Sequence, residues 1–503
     1  MIGRACGAAN RTRSAQQRGL PPPLADRVLM LLASGLACPL ALAGQAPELP
    51  PDWVSSFERG VEWCEPVGGD PPDALLLCTR DAKLDVLDLR TGESRLPAPI
   101  DAQPGVQFAG ESGGVAYCFA RDIVYAIALG PRDGPSVPAP TASGPARGAA
   151  LSQPERGSGA PQPRAAPTTH LLWKAGQPLG QTTGRIAGPT PRPTDADPEF
   201  LLRIVAAQAT PAGVLMVRSD GRVAELARED GRIRWQRSID AVSASQVHVR
   251  GAQAAVVWRV PGGGTAVAFA ELRSDAPDWT QRGISGDSPI WTGLADGGLV
   301  AVGSDNFCVI GRGCAELNVR LHSNIQPAAA STALCFESEP CPAAVRPRLP
   351  LLILQTVDAS LCAFQLNGEL WWPTRDELDA LPAGAVERLR SLTVCGAYLV
   401  AVREQGFQVY CSTDGTRVLE AGRAARVLSV CAQGQTVFAL YAESADDPGR
   451  LELARYPLSQ TAPTPQEPRQ FRLRPTEGAR QLRWPAGRLV LVEDKQVRVY
   501  TLP

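Results

Sequence analysis

Short apolar segments recur along most of the chain after residue 60, and Gly, Pro, Asp or Asn residues separate them. Several are followed within a few residues by a second segment in which apolar and polar residues alternate, as at 84–89 and 497–500. Alternation with a period of two is typical of β-strands, and no long amphipathic helical pattern occurs. The chain is therefore predicted to be all-β, with one short helix within 376–390 that Pro382 interrupts.

The strands recur in a fixed unit. Each unit has an apolar strand, a tight turn, an alternating strand, a turn that ends in Gly, and a polar strand that often contains Trp. Two clear copies lie at 219–235 and 357–372. The repeat-turn glycines are Gly92, Gly134, Gly231, Gly368 and Gly415. Glycine suits this turn because it accepts a positive φ, and the spacing of the later glycines fits a repeat of about 46 residues.

Nine groups of strands follow one another, near 61–98, 105–134, 201–237, 245–282, 289–321, 332–373, 391–420, 425–473 and 479–502. A four-stranded unit repeated in this way predicts a single β-propeller. The last group ends before its fourth strand, so we expect the ring to be closed by a strand from the other terminus, within 53–65. Sharing of strands predicts about eight blades, within a range of seven to nine. Two β-sandwiches are the alternative, although they would not require one period.

The repeat unit resembles that of the PQQ-like, or quinoprotein-type, β-propellers, through the Asp-Gly and Asn-Gly turns and the Trp residues at 219–235 and 357–372. The resemblance implies the fold, and its relatives include both quinone-dependent dehydrogenases and non-catalytic periplasmic propellers. This chain lacks the vicinal Cys-Cys pair of the dehydrogenases and has no D-x-D-x-D-G cluster for Ca²⁺. We therefore expect a non-catalytic member with no cofactor and no metal.

The amino terminus has the features of an export signal. Several Arg residues precede an apolar segment at 28–42, which ends in the small-residue pattern Ala41-Leu42-Ala43. This arrangement predicts a signal peptide at 1–43, cleaved after Ala43, and a mature propeller at 44–503 in the periplasm or outside the cell. An uncleaved membrane anchor is the alternative, and no other segment is apolar enough to span a bilayer.

Cysteine usage agrees with export. The chain has 13 Cys and no C-x-x-C motif, which gives no support to a thioredoxin-like or zinc-ribbon site. Three pairs are candidates for disulfides: Cys308 with Cys314, Cys335 with Cys341, and Cys64 with Cys78. The remaining thiols within strand-like segments, Cys118, Cys362, Cys395, Cys411 and Cys431, are interpreted as small buried hydrophobic residues.

A Pro-rich segment at 130–198 interrupts the repeats and is predicted to be a disordered insertion, except for an outer strand near 169–173. The Trp residues of the repeats, namely Trp235, Trp279, Trp371 and Trp372, are predicted to pack between blades, with a sugar or peptide platform as the alternative.

The net charge and the absence of catalytic sequence motifs exclude several classes of function. Lys and Arg number 50 against 51 Asp and Glu, so nucleic acid and anionic membrane are excluded as bulk partners. The three His residues lie far apart, and no catalytic motif is present. We therefore predict an exported, non-catalytic scaffold that binds a protein or a component of the cell envelope. The alternative is a propeller enzyme, either a quinone-dependent dehydrogenase or a carbohydrate-active hydrolase with acids from different blades.

Overall fold

The computed structural model describes residues 46–130, 169–175, 203–239, 246–260, 263–273, 277–284, 288–295, 298–311, 316–336, 350–381, 388–403, 406–422, 426–442, 450–458, 468–474, 480–485 and 487–503. The predicted signal peptide, its cleavage site at Ala43, and most of the 130–198 segment lie outside these residues. The described strands form a single β-propeller of nine blades.

Blades 1 to 8 each take four consecutive antiparallel strands, which are numbered first to fourth in chain order. Blade 1 contains Val61–Val67, Ala74–Thr79, Lys83–Asp88 and Ile100–Asp101. Blade 2 contains Gln107–Ser112, Val115–Ala120, Ile123–Ala128 and His170–Ala175. Blade 3 contains Ile204–Thr210, Gly213–Arg218, Arg222–Ala227 and Ile233–Ser238. Blade 4 contains Gln246–Arg250, Gln253–Arg259, Thr265–Glu271 and Thr280–Ile284.

The next four blades follow the same plan. Blade 5 contains Trp291–Ala295, Gly298–Val302, Asn306–Gly311 and Leu317–Arg320. Blade 6 contains Ala333–Cys335, Leu351–Gln355, Leu361–Gln365 and Leu370–Trp372. Blade 7 contains Ser391–Cys395, Tyr398–Val402, Gly406–Cys411 and Arg417–Gly422. Blade 8 contains Arg426–Gln433, Thr436–Ala442, Leu451–Pro457 and Arg469–Leu473, and Glu48–Leu49 adds a short parallel strand at its outer edge.

Blade 9 closes the ring with strands from both ends of the chain. Its first three strands are Gln481–Arg483, Arg488–Val492 and Gln496–Thr501, and its fourth is Trp53–Ser56. Trp53 lies opposite Val499 and Ser56 opposite Gln496 in an antiparallel ladder. The amino-terminal closing strand expected within 53–65 is therefore present, although it is shorter, because a turn at 57–60 separates it from blade 1.

The propeller has nine blades, which is one more than the expected eight and within the expected range of seven to nine. All nine strand groups found in the sequence become separate blades. The shared strand supplies the missing fourth strand of the last group and does not merge two groups, so sharing leaves the count unchanged.

The core consists of nine apolar clusters, one in each gap between neighbouring blades, including the gap between blades 9 and 1. Both faces of a blade are covered, so successive residues of a second strand enter different clusters. In blade 1, Leu75 and Leu77 face blade 9, whereas Leu76 and Cys78 face blade 2. This explains why the second strands are continuous apolar segments without alternation.

The first strand of each blade lies innermost, since first strands contact the first strands of neighbouring blades around much of the ring. Connections between first and second strands, and between third and fourth strands, therefore lie on one face of the propeller. We call this the turn face. It carries the repeat-turn glycines and the candidate site described below.

Two further features agree with the expectations from sequence. The outer strand of blade 2, His170–Ala175, lies within the Pro-rich segment close to the predicted 169–173. A short helix, Arg375–Asp379, begins after Thr374, whose side chain and Glu377 form a capping box, and it ends before Pro382. Within the described ranges, no helix has the length and hydrophobicity needed to cross a membrane.

Candidate functional site

Three of the repeat-turn glycines each support a Trp side chain from the preceding blade. The pairs are Trp53 on Gly92, Trp173 on Gly231, and Trp372 on Gly415. A Cβ atom at any of these glycines would lie within 2.6 Å of the indole ring. Each indole N–H also donates a hydrogen bond to the carbonyl oxygen three residues before the glycine, at Leu89, Arg228 and Ser412, over 3.0, 2.7 and 3.4 Å.

These contacts identify the repeat turns as joints between blades. Gly92, Gly231, Gly368 and Gly415 all have positive φ, as the turn requires, and Gly134 lies outside the described residues. At Gly368 the side chain of Val319 occupies the place that Trp takes elsewhere. The other repeat Trp residues also pack between blades: Trp235 and Trp279 contact each other at a centroid distance of 6.0 Å. The indole N–H of Trp371 donates to the Thr413 carbonyl oxygen over 2.7 Å.

The predicted disulfides have different outcomes. Cys314 and Cys341 lie outside the described residues, so the bonds to Cys308 and Cys335 stay predictions. Cys64 and Cys78 are both described, and they do not form a pair. Cys64 lies opposite Leu77, and the two thiols point into the gaps on opposite sides of blade 1. They were paired on sequence because they lie on neighbouring strands, but side chains on a strand alternate between faces.

Seven of the nine described cysteines are buried. Burial raises the pKa of Cys64 and Cys78 to about 12, and it raises the pKa of Cys118 and Cys362 further still. These thiols stay protonated at neutral pH and act as small apolar side chains, as the sequence analysis proposed for Cys118 and Cys362.

A cavity lies on the turn face, at the ends of the first strands of blades 7, 8, 9 and 1. Its volume is about 830 Å³. The innermost walls come from Thr393–Cys395, Val430 and Cys431, Leu482 and Arg483, and Pro66. We call it the central cavity. Four consecutive blades contribute to it, so it depends on ring closure.

The walls of the central cavity are rigid and mostly uncharged. Pro66, Pro71, Pro72 and Pro485 contribute fixed apolar surfaces, and Trp484 is held by a 2.8 Å hydrogen bond from its indole N–H to the Ser429 hydroxyl. Proline and a fixed indole lose little conformational entropy when a ligand binds, so the cavity is preorganised.

Among the described residues that line the central cavity, the charged side chains are Asp70 and Arg483. The Arg483 Nε atom lies 3.0 Å from a carboxylate oxygen of Glu65. That hydrogen bond raises the pKa of Arg483 and leaves its charge compensated. The lining residues therefore do not bring together the two carboxylates that glycoside hydrolysis needs.

A second cavity of about 650 Å³ lies between blades 6 and 7 and is lined by Trp371, Tyr410 and Glu377. The Glu377 carboxylate accepts hydrogen bonds from the Thr374 backbone and hydroxyl, each at 2.8 Å, and these bonds lower its pKa. The carboxylate is thus committed to capping the short helix. Asp414 similarly accepts a bond from the Thr416 backbone N–H over 2.9 Å. Glu377 and Asp414 are thus engaged in local backbone structure, so this cavity is the weaker candidate for a functional site.

The histidines do not form a site. His248 is largely buried on the first strand of blade 4, and burial lowers its pKa. Its Nε2 atom lies 2.9 Å from the Thr292 hydroxyl, which donates to Gln246 over 2.7 Å. This network joins the inner strands of blades 4 and 5. In the part of the chain that the structure describes, no three His, Cys, Asp or Glu side chains are grouped as a metal site.

No protein-family model and no curated protein matches this chain. Among solved structures it is similar to the computationally designed Ika8 protein, at 11% identity and a TM-score of 0.43, over 91% of this chain and 100% of that one. It is also similar to BamB from Moraxella catarrhalis, at 12% identity and a TM-score of 0.40, over 78% of this chain and 96% of that one. A third likeness is to the C-terminal WD40 domain of Sif2, at 8% identity and a TM-score of 0.43, over 85% and 98%. These likenesses are too distant to carry an argument about function, and the fold rests on the chain's own sheets.

The central cavity could not be predicted from the sequence, because its walls come from segments that lie far apart in the chain, from Pro66 to Pro485. Cys395 and Cys431 both line it, near the ends of the first strands of two successive blades, and the sequence did not single out this pair. That shared place in two adjacent repeats is the signal that was available.

Proposed function

We propose that this protein is an exported, non-catalytic β-propeller that binds a partner protein of the cell envelope, with the central cavity as its binding site. The observation that supports this most is the composition of the cavity wall, which is preorganised, mostly apolar, and formed by four blades. Such a wall suits an apolar side chain or an extended segment of a partner, because binding there buries apolar surface at low entropic cost.

The enzyme alternative has less support. A quinoprotein dehydrogenase would need oxygen ligands for Ca²⁺ and a carboxylate base near the cofactor. The described lining of the central cavity includes one carboxylate, Asp70, and its one cationic side chain, Arg483, is engaged by Glu65.

The position of the long connections supports use of the turn face. The 131–168 segment joins the third and fourth strands of blade 2, and 337–349 joins the first and second strands of blade 6. By connectivity, both leave and re-enter the propeller on the face that carries the central cavity. The ends of the first segment meet, since the Gly130 N–H donates to the Thr169 hydroxyl over 3.2 Å.

We expect one substitution in the cavity wall to abolish partner binding without disturbing the fold. Thr393 lines the cavity and is exposed, so Thr393→Arg places a long cationic side chain into the cavity and leaves the core intact. The matched control is Gln281→Arg, which adds the same side chain to an exposed outer-strand position of blade 4. Envelope extracts are passed over both variants and the wild-type protein, and bound proteins are quantified by mass spectrometry.

The expected result is a defined set of proteins that the wild type and Gln281→Arg retain equally, and that Thr393→Arg retains at least about tenfold less, a loss of ~1.4 kcal/mol in binding free energy. Equal retention by all three proteins would reject the central cavity as the binding site.

Export is tested by the amino terminus of the mature chain. We expect the protein recovered from the producing cell to begin near Gly44, because the small residues Ala41 and Ala43 precede that point. Amino-terminal sequencing measures this directly. A protein that still carries residues upstream of 28 would show that the segment is an uncleaved anchor or is not an export signal.

A further inference from the structure

The outer edge of blade 8 carries a fifth strand, whereas the other eight blades end, within the described residues, at their fourth. The added strand is Glu48–Leu49, which we call the edge strand, and it runs parallel to the fourth strand, Arg469–Leu473. The Arg472 backbone N–H donates to the Pro47 carbonyl oxygen over 3.0 Å. This edge therefore accepts an extended segment through backbone hydrogen bonds, as open sheet edges in general can.

The edge strand occupies only part of this edge. It pairs with the last two residues of Arg469–Leu473, and in the part of the chain that the structure describes no strand pairs with the outer side of the first three. Prolines limit its length, because Pro47 precedes it and Pro50 and Pro51 follow it, and proline has no N–H to donate to a ladder. A segment without these prolines would be able to pair with the whole of Arg469–Leu473.

Two arginines face each other near the open part of the edge. Arg455 on the third strand lies directly opposite Arg469 on the fourth. Arg469 is exposed and Arg455 is half-buried, and neither has an ion-pair partner among the described residues. Like charges directly opposite each other in a ladder repel, and an acidic neighbour relieves that repulsion. The open part of the edge therefore favours an acidic ligand.

Next to the edge strand the arginines have acidic neighbours. Arg472 lies opposite Glu452 in the ladder, and the Arg474 Nε atom lies 3.1 Å from a carboxylate oxygen of Glu48. The side chains of Arg474 and Glu48 are both more than half exposed, so water weakens their attraction and the ion pair contributes little stability. The edge strand thus brings an acidic side chain to the arginines but is held weakly.

We propose that the outer edge of blade 8 is a docking site for an extended acidic segment of a partner protein. The segment displaces the edge strand and pairs in parallel with the whole of Arg469–Leu473, so it gains backbone hydrogen bonds that the proline-flanked edge strand cannot make. Its acidic side chains lie beside Arg469, Arg472 and Arg474. The site lies at the rim of the propeller, apart from the central cavity, and this role does not depend on the binding role proposed for that cavity.

The register of the edge strand defines the sequence that this edge should select. Glu48 lies opposite Arg472 and Leu49 opposite Leu473, and both leucines pack in the cluster between blades 8 and 9. Because side chains alternate along a strand, apolar residues should face that cluster and acidic residues should alternate with them. The hexapeptide Glu-Thr-Val-Glu-Leu-Glu keeps the Glu-Leu of the edge strand and has Val and Glu where prolines flank it.

The test measures binding of this labelled hexapeptide to the chain that starts at Gly44, by fluorescence anisotropy. One control peptide is N-methylated at Val and Leu, which keeps the charge but removes the N–H groups that face the edge. The other, Lys-Thr-Val-Lys-Leu-Lys, reverses the charge. We expect both controls to bind at least about tenfold more weakly, a loss of ~1.4 kcal/mol. Equal binding of the N-methylated peptide would overturn the proposal, since the arginines would then attract acidic ligands without strand pairing, and so would no binding of the acidic peptide.

Variants of the chain locate the docking site. A chain that starts at Pro51 lacks the edge strand and should bind the hexapeptide about tenfold more tightly, because nothing competes for its edge. In that chain Arg474→Glu should weaken binding about fivefold, whereas Arg237→Glu, the same change at an exposed position on the outer strand of blade 3, should leave it unchanged. Equal affinity of the chains that start at Gly44 and Pro51, or equal effects of the two substitutions, would place the peptide elsewhere and reject the proposal. The comparison of peptides on the unsubstituted chain decides the matter even if a variant fails to fold.

Discussion

A chain that starts at Glu58 is expected to melt on the order of 10 °C below a chain that starts at Gly44, although only the closing strand and its flanks are missing. The truncation removes Trp53–Ser56 and with it the antiparallel ladder to Gln496–Thr501. It also removes Trp53 and Phe57, which pack in the cluster between blades 9 and 1. Losing a large packed aromatic costs roughly 3–5 kcal/mol and each ladder hydrogen bond about 1 kcal/mol more.

The loss of stability caused by this truncation should affect both blade 9 and blade 1. Without its fourth strand, blade 9 exposes the unpaired edge of Gln496–Thr501, and the gap next to blade 1 loses its aromatic cover. Hydrogen exchange should therefore show lost protection in the second strands of both blades, Arg488–Val492 and Ala74–Thr79.

A second truncation provides the control for the first. A chain that starts at Pro51 loses Glu48–Leu49, a short parallel strand at the edge of blade 8, but keeps the closing strand. It should melt close to the chain that starts at Gly44. If the chains that start at Pro51 and Glu58 melted together, ring closure by Trp53–Ser56 would contribute little to stability.

The fold could be predicted from the sequence because each repeat contains most of the strands of one blade. Continuous apolar segments, such as Val115–Ala120, and the glycine turns defined nine strand groups in the sequence, and each group corresponds to one blade of the structure. The expected count of about eight blades was one too low, although nine lies within the predicted range of seven to nine. The sequence indicates that the last strand group lacks its fourth strand, but it does not show how the amino-terminal strand completes that group. That depends on three-dimensional closure, which no local pattern records.

The candidate site could not be predicted in the same way. The repeat pattern indicated that Cys395 and Cys431 lie in strands, and alone each is interpreted as a small hydrophobic residue. That both residues line the central cavity depends on the position of two strands in adjacent blades. The Cys64–Cys78 pairing failed for a related reason, since their strands are neighbours but their side chains face opposite gaps.

We expect Gly231→Ala, which alters a joint between blades 2 and 3, to cause a second large loss of stability. Gly231 has a φ of +68°, and an added Cβ would lie 2.6 Å from two carbons of the Trp173 ring. The left-handed conformation costs a non-glycine residue roughly 1–2 kcal/mol. Displacing Trp173 also weakens its 2.7 Å hydrogen bond to the Arg228 carbonyl oxygen and its packing between blades 2 and 3. We expect a total loss of about 3 kcal/mol in the free energy of unfolding.

Gly251→Ala is a control that measures the stability lost through backbone strain alone, without the displacement of a Trp side chain. Gly251 has a φ of +55° in a turn of blade 4, and nothing lies within 4 Å of its added Cβ. Its substitution should cost only about 1 kcal/mol, which is the backbone strain. Denaturant unfolding of both variants, repeated in a Trp173→Ala background, gives a double-mutant cycle. In that background Gly231→Ala should cost no more than Gly251→Ala, because the indole that it displaces is gone. If Gly231→Ala costs the same with and without Trp173, the glycine serves only the turn, and the docking of Trp on Gly does not hold neighbouring blades together.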